Sequence, residues 1–419
     1  MQNSEELQVL KSKSFWLNIS KGLRMAERQI YLDYAATASL CEEARDAMQP
    51  YVSAFGNESL EFRGNANSLY TLGRDAHNQM EAARREFSKA IGAKRPEEVI
   101  FTASSTESIF LALSGLFNAN NCKTIITSSI EHPAILEAAR FVAGKNNVCE
   151  LKVNKWGFVS VDDLVEAIKN NESPLVSIQM ANSELASVQN ISELAKVTHD
   201  AGCLFHTDAT QALGKVRFNA AELGVDAASF SSHKIGGPQG VGALYLKNSV
   251  KFSSPIVGGG QESKRRGGTQ NVCGIVGFAA AAKAACENLD EEASRLANLK
   301  SKLVMSLSSL TTSANKNVRL VVNEEECISG GEKCSFLPNI ATFIVGGIES
   351  ETAILRLDDR GVSVAGGSAC SSGSTTASRA LKAVGISDDD AFCELRISFG
   401  RYTTENDIET FINEFKEVI

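Results

Sequence analysis

No stretch of this 419-residue chain approaches the roughly 18 consecutive apolar residues of a membrane-spanning helix. Positive charge is scarce too. Lys and Arg total 42 against 50 Asp and Glu, so the net charge of −8 offers nothing to nucleic acid or an anionic bilayer. The ten cysteines include no C-x-x-C pair and no Cys/His cluster at zinc spacing, so neither a structural metal nor a disulfide framework is expected. Internal repeats and low-complexity tracts are absent, which excludes solenoids and long linkers. What remains is an ordinary globular composition, 43% hydrophobic and 22% charged, with ample core for two or three domains. The chain reads as cytoplasmic.

The first residues stand apart. Lys11, Lys13, Lys21 and Arg24 surround Phe15-Trp-Leu-Asn-Ile-Ser20, too short and polar for a secretory signal. Glu5 and Glu6 argue against a transit peptide, so residues 1–28 are expected to be an extension. From there strand and helix signals alternate. Strands are expected at 98–102, 124–127, 175–179, 203–207, 227–230 and 242–246, with helical patterns such as 191–200 between them. Such alternation implies crossover connections and a mostly parallel sheet, with ligands at the carboxyl ends of its strands. A long Ala-rich helix is expected from Gly274 to about Leu310. Beyond it the pattern is α+β, with strands at 318–322 and 340–344 and a helix at 350–358. Cys203 and Cys273 read as small core residues. A Cys327–Cys334 disulfide is possible but disfavoured in a reducing compartment.

Polar residues collect at the strand ends. Cys370 sits in Val364-Ala-Gly-Gly-Ser-Ala-Cys-Ser-Ser-Gly-Ser374, a segment with almost no apolar area to bury, where a thiol is available as a nucleophile. Lys234, in Ser231-Ser-His-Lys-Ile-Gly-Gly-Pro238, follows a strand and is the residue type that forms a Schiff base with a carbonyl cofactor. Asp208 ends another strand, where a carboxylate can face the pyridine nitrogen of pyridoxal phosphate (PLP). Ser105 and Thr106 open a helix and can bind a phosphate. His132 can stack on a flat cofactor and move a proton. Asn182 can bond its phenolic oxygen. Each has an ordinary alternative: a thiol in a turn, a surface lysine, an Asp or Ser104–Glu107 helix cap, a turn-forming Asn. The order phosphate loop, His, Asn, Asp, Lys along one α/β region is what PLP chemistry requires.

With these residues in view, the sequence resembles the cysteine desulfurases of the NifS/IscS type, class V aminotransferase-like PLP enzymes of fold type I. The likeness rests on Tyr31-Leu-Asp-Tyr-Ala-Ala-Thr37, Glu131-His-Pro133, Asp208-Ala-Thr-Gln211, Ser231 with His233-Lys234, Gly258-Gly-Gly-Gln-Glu262 with Gly268-Thr269, Gly367-Ser-Ala-Cys370 and Leu395-Arg-Ile-Ser-Phe-Gly-Arg401. It implies an α/β large PLP-binding domain with a mostly parallel seven-stranded sheet (46–288), an N-terminal segment (29–45) packing with the small domain, and a small α+β C-terminal domain (289–419). It further implies conversion of L-cysteine to L-alanine with a persulfide on Cys370. Lys234 would link the cofactor and Asp208 would face its nitrogen. Gln211 and Asn182 would bond its phenolic oxygen, and His132 would stack on its ring. Thr106, Ser231 and His233 would hold the phosphate, with Thr269 reaching the phosphate of a neighbouring subunit in a homodimer. Arg396 would pair with the substrate carboxylate, and Asn182 would also contact substrate. An acceptor or scaffold protein, as in iron–sulfur cluster assembly, would take the sulfur. Selenocysteine lyase, or another class V PLP aminotransferase or lyase, is the alternative activity. Departures from the family pattern include Ala186 where Gly is usual, and Ser263-Lys264 in place of Arg-Gly.

Overall fold

The computed structural model describes residues 29–52, 64–313, 316–331, 334–367 and 377–419. Cys370 and residues 1–28 lie outside the described residues. Twelve strands are described: β1 (Ile30–Tyr31), β2 (Val99–Thr102), β3 (Thr124–Ser128), β4 (Val148–Leu151), β5 (Pro174–Ser177), β6 (Leu204–Asp208), β7 (Ala227–Ser231), β8 (Gly242–Leu246), β9 (Val318–Leu320), β10 (Ile340–Val345), β11 (Val362–Ser363) and β12 (Glu394–Ser398).

Seven of them form one sheet in the order β2-β8-β7-β6-β5-β3-β4. Neighbours from β7 through β4 run parallel, and β8 is antiparallel to both β7 and β2. Strands buried on both faces read as short apolar runs, and β2, β3, β5, β7 and β8 are buried at every position. The short edge strand β4 escapes the sequence reading, because Val148-Cys-Glu-Leu151 carries a charge and only Leu151 is buried.

The expected helix from Gly274 onward is two helices, Val272–Glu287 and Leu289–Leu307, bent by 74°. Asn288, at φ −108° and ψ 21°, breaks the helical path, and Asp290, Glu291 and Glu292 then fill the first turn of the second helix, where carboxylates favour the helix dipole. No single described helix is long and apolar enough to cross a membrane. Gly277 lies against Met48, and a Cβ there would fall 2.5 Å from the Met48 sulfur, so a larger residue would force that side chain to shift.

β9, β10 and β12 form a separate antiparallel sheet, and β1 pairs in parallel with β11. Ile30 and Leu32 therefore share a core with Leu303, Phe343, Val362, Leu395, Phe399 and Phe415, more than 260 residues away in sequence for every partner. Cys203 and Cys273 are half-buried rather than core, as each sits at the start of an element rather than within its apolar run. Cys327 and Cys334 form no disulfide with each other.

Both departures noted above fall on left-handed backbone. Ala186 has φ +60° and Lys264 φ +65°, beside Glu262 and Ser263 at +46° and +57°. The turn is kept at Ala186, whose carbonyl accepts from Leu337 N at 2.7 Å. A Cβ in this region costs roughly 1–2 kcal/mol, partly offset by the larger unfolded-state entropy of glycine. Ala186→Gly is accordingly expected to stabilise the fold by up to about 1 kcal/mol, read as a rise in denaturant midpoint at unchanged slope. A lower midpoint would contradict the strain.

Candidate functional site

Sheet register decides which side chains meet. Thr102 on β2 lies opposite Gly242 on β8, and Gly242 lies opposite Ser231 on β7. A Cβ on Gly242 would sit 2.5 Å from the Ser104 carbonyl carbon, so glycine alone lets β8 begin against the turn after β2. The helix Ser105–Ala119 thus starts one strand away from Ser231. Ser104 caps it, accepting from Glu107 N at 3.2 Å, while Glu107 Oε2 accepts from Ala103 N at 2.9 Å. Ser105 is half-buried and Thr106 exposed, with their amides in the helix's first turn, a ready anion site.

The carboxyl ends of β3, β5 and β6 supply the next residues. Glu131 and His132 follow β3, Gln179 and Asn182 follow β5, and Asp208 and Gln211 end β6 and begin its turn. Asp208 is buried, and its Oδ1 accepts from Thr210 N at 3.0 Å. His132 caps the helix Pro133–Ala143, with Nδ1 accepting from Ala134 N at 3.1 Å. That bond uses the Nδ1 lone pair, so the neutral ring carries its proton on Nε2. Burial pushes the His132 pKa down, opposed by Asp208 and reinforced by Lys234, which places all three groups in one electrostatic neighbourhood.

Lys234 ends the short turn after β7. Its Nζ donates to Ala35 O and Ala36 O, both at 2.7 Å. The N-terminal segment is pinned beside this turn by Ala38 N to His233 O and Cys41 N to Gly236 O, both 2.8 Å, the latter made possible by Gly236 at φ +81°. His233 Nδ1 lies 3.1 Å from Thr37 Oγ1, and burial together with Lys234 and Lys215 brings its pKa to about 4. Ser231 is buried at the end of β7. A cavity of about 140 Å³ borders Lys234, Lys215, Tyr34, Asn339 and Arg401.

Arg396, in the middle of β12, is 1% exposed, bonds Asp33 Oδ1 at 2.9 Å and leaves its Nε without a partner among the described residues. Two residues earlier, Glu394 is buried, with Oε1 unpaired. Burial and the facing Glu184 raise its pKa well above the usual range, against the pull of Arg396. Glu184 also accepts from Ser378 Oγ and abuts Gly367, so the last residue described before Cys370 and the second described after it both touch this carboxyl pair. A second cavity of about 180 Å³ joins His132, Asn182 and Glu184 to Ala377, Ser378 and Arg379.

Lys234, His132, Asp208, Gln211, Ser231 and His233 converge, and Ser105 and Thr106 border them. Thr269 is exposed in the 258–270 segment. Asn182 is committed to the protein itself, donating to Ile130 O at 2.9 Å and accepting from Glu184 N and Leu185 N at 2.8 and 2.7 Å. It shapes the wall of the second cavity. Sequence reading gave no role to Asp33, Lys215, Glu131, Glu184 or Glu394. Asp33 and Glu131 stood inside quoted motifs, and Lys215 lies four residues from Gln211, one turn along the chain. Glu131 is fully buried, which lifts its pKa to about 8 against the hydrogen bonds from Ser128 and Gln179, with Asp208 adding to the rise.

The donors present suit a flat, anionic, phosphate-bearing aldehyde. They comprise one amine, one buried carboxylate, two imidazoles, and hydroxyls beside a helix N-terminus.

Comparison with known proteins follows the same lines. The family model described as Aminotransferase class-V matches residues 30–411. Cysteine desulfurase IscS of Dictyoglomus turgidum is 37% identical over 396 residues, covering 94% of this chain and 95% of that protein. The X-ray structure of a NifS-like protein from Rickettsia africae superposes with a TM-score of 0.80 at 29% identity, covering 93% of this chain and 99% of the other. A structure described as SspA in complex with cysteine gives a TM-score of 0.72 at 27% identity, over 90% and 100% of the two chains.

Proposed function

The chain belongs to the class V aminotransferase family and, within it, to the PLP-dependent cysteine desulfurases, and on that premise we propose that it takes sulfur from L-cysteine onto Cys370 and releases L-alanine. The observation that carries this reading is the meeting of Lys234, Asp208 and His132 at the carboxyl ends of β7, β6 and β3 of one sheet, beside a helix N-terminus. The cysteine bound in the SspA structure supports the same substrate class.

Lys234 would link the cofactor, and Asp208 would hold a proton on its pyridine nitrogen. Gln211 would donate to its phenolic oxygen. Ser105, Thr106, Ser231 and His233 would take its phosphate, with Thr269 reaching that of a partner subunit. When bound, the cofactor supplies a sink for the electrons left on the substrate's α-carbon. The freed Lys234 amine takes the α-proton. Arg396, already held by Asp33, offers its guanidinium to the substrate carboxylate. His132 presents Nε2–H, a donor that favours an anionic sulfur nearby. The Cys370 thiolate forms an S–S bond to the substrate sulfur, and the substrate C–S bond breaks with its electrons left on carbon, which is protonated to alanine. L-cysteine and one enzyme thiol thus become L-alanine and one enzyme persulfide, with no external oxidant. An acceptor protein then takes the sulfur. The exposed side chains of Leu69, 89%, and Val257, 87%, support a homodimer.

The test is incubation of the PLP-loaded protein with L-cysteine, L-selenocysteine or an amino acid with a keto acid. Equimolar alanine and enzyme-bound sulfur from cysteine are expected. Transamination without sulfur release would replace this reading by an aminotransferase, and preference for selenocysteine by a lyase.

A further inference from the structure

Gln211 hangs between two partners. Its Oε1 accepts from Lys215 Nζ at 2.5 Å, and its Nε2 donates to Ala35 O at 2.9 Å. The same Ala35 carbonyl accepts from Lys234 Nζ at 2.7 Å. Lys215, Gln211, Ala35 and Lys234 therefore form one unbroken run of hydrogen bonds ending at the amine that would link the cofactor.

Lys215 is 8% exposed and forms no ion pair among the described residues. A buried ammonium without a counter-ion is costly, and a hydrophobic side chain of similar volume would fill the space without that cost. The charged and titratable groups facing it, Lys234, Arg396 and His233, are all basic. Stability therefore does not explain this lysine, and its contact does.

We infer that Lys215 is a positioning residue that fixes the polarity of the Gln211 amide. An ammonium has only N–H groups to give, so Oε1 must face it. Nε2–H is thereby committed to the opposite end, toward Ala35 and Lys234. An anionic phenolic oxygen can bind only that donor end. Without Lys215 the two ends of the amide, nearly equal in size, are free to exchange. The inference rests on the proposed contact between Gln211 and the cofactor, while the amide orientation rests on the protein's own bonds.

The test uses the PLP-loaded protein, Lys215→Met, Lys215→Arg and Gln211→Met. The readouts are the visible absorbance of bound PLP across pH, its dissociation constant, and the unfolding temperature of each protein without PLP. Lys215→Met is expected to move the absorbance titration by about half a pH unit and weaken PLP binding about fivefold. Gln211→Met should move it the same way, the double variant should add nothing, and Lys215→Arg should stay near the wild type. Burial, Lys234 and Arg396 lower the Lys215 pKa to about 7. The unfolded chain therefore binds more protons than the folded one between about 7 and its ordinary value, and the cost of this lysine is greatest below pH 7. Lys215→Met without PLP should thus melt at or above the wild-type temperature at pH 6–7, the advantage shrinking as pH rises. An unmoved titration and affinity with a lowered melting temperature would overturn the inference and leave a structural lysine. A wild type with no PLP absorbance would sink the reading of the site itself.

Discussion

Lys234→Ala is expected to reduce L-cysteine turnover by at least about 10⁴-fold, because in the proposed mechanism one amine would both link the cofactor and take the α-proton. The fold should survive. Lys234 gives two hydrogen bonds to the carbonyls of Ala35 and Ala36, and their loss costs about 1–3 kcal/mol in a protein of this size. Circular dichroism and melting temperature would register that modest change. Absorbance after adding PLP, and alanine formed from cysteine, would register the large one. Turnover within tenfold of wild type would remove Lys234 from the mechanism.

Cys370→Ser should leave PLP binding intact and abolish sulfur transfer, by about a thousandfold or more, since a hydroxyl is scarcely ionised where a thiol is already a few per cent thiolate. Apart from the half-buried Cys334, the other cysteines offer poor substitutes. Cys41, Cys122, Cys327 and Cys393 are buried. Burial pushes up the thiol pKa of Cys41, Cys122, Cys149, Cys203 and Cys273, and that of Cys286 to about 11. Mass spectrometry after brief exposure to cysteine and alkylation is expected to find the extra sulfur atom on the peptide holding Cys370. Undiminished sulfur release by the variant, or the extra atom on another cysteine, would reject the assignment.

The sheet was legible because its strands are short apolar runs ended by polar turns, and the sites lie where those runs stop. Lys234, Asp208 and His132 could be proposed as site residues for that reason. What could not be read were partners set by tertiary approach. Nothing near Arg396 announces Asp33, which reaches it across 363 residues. Lys215 looks like any lysine after a glycine until its burial is seen. The amide of Asn182 also bonds Ile130, Glu184 and Leu185, partners that follow from backbone path rather than residue type. The break at Asn288 was hidden by continuous alanine-rich composition, although the three acidic residues after it mark a new helix start.

The pairing of β1 with β11, and of Asp33 with Arg396, carries a consequence for biosynthesis. A ribosome delivers Ile30, Tyr31 and Asp33 early, yet Val362, Ser363 and Arg396, which pair with them, emerge more than 330 residues later, an interval of roughly 15 to 70 seconds at ordinary elongation rates. Throughout that interval the nascent leading strand has no mate, and Lys234 lacks a fixed Ala35 carbonyl. Assembly of the proposed site thus waits for Arg396, so a chain cut short before that residue would lack the Asp33–Arg396 contact.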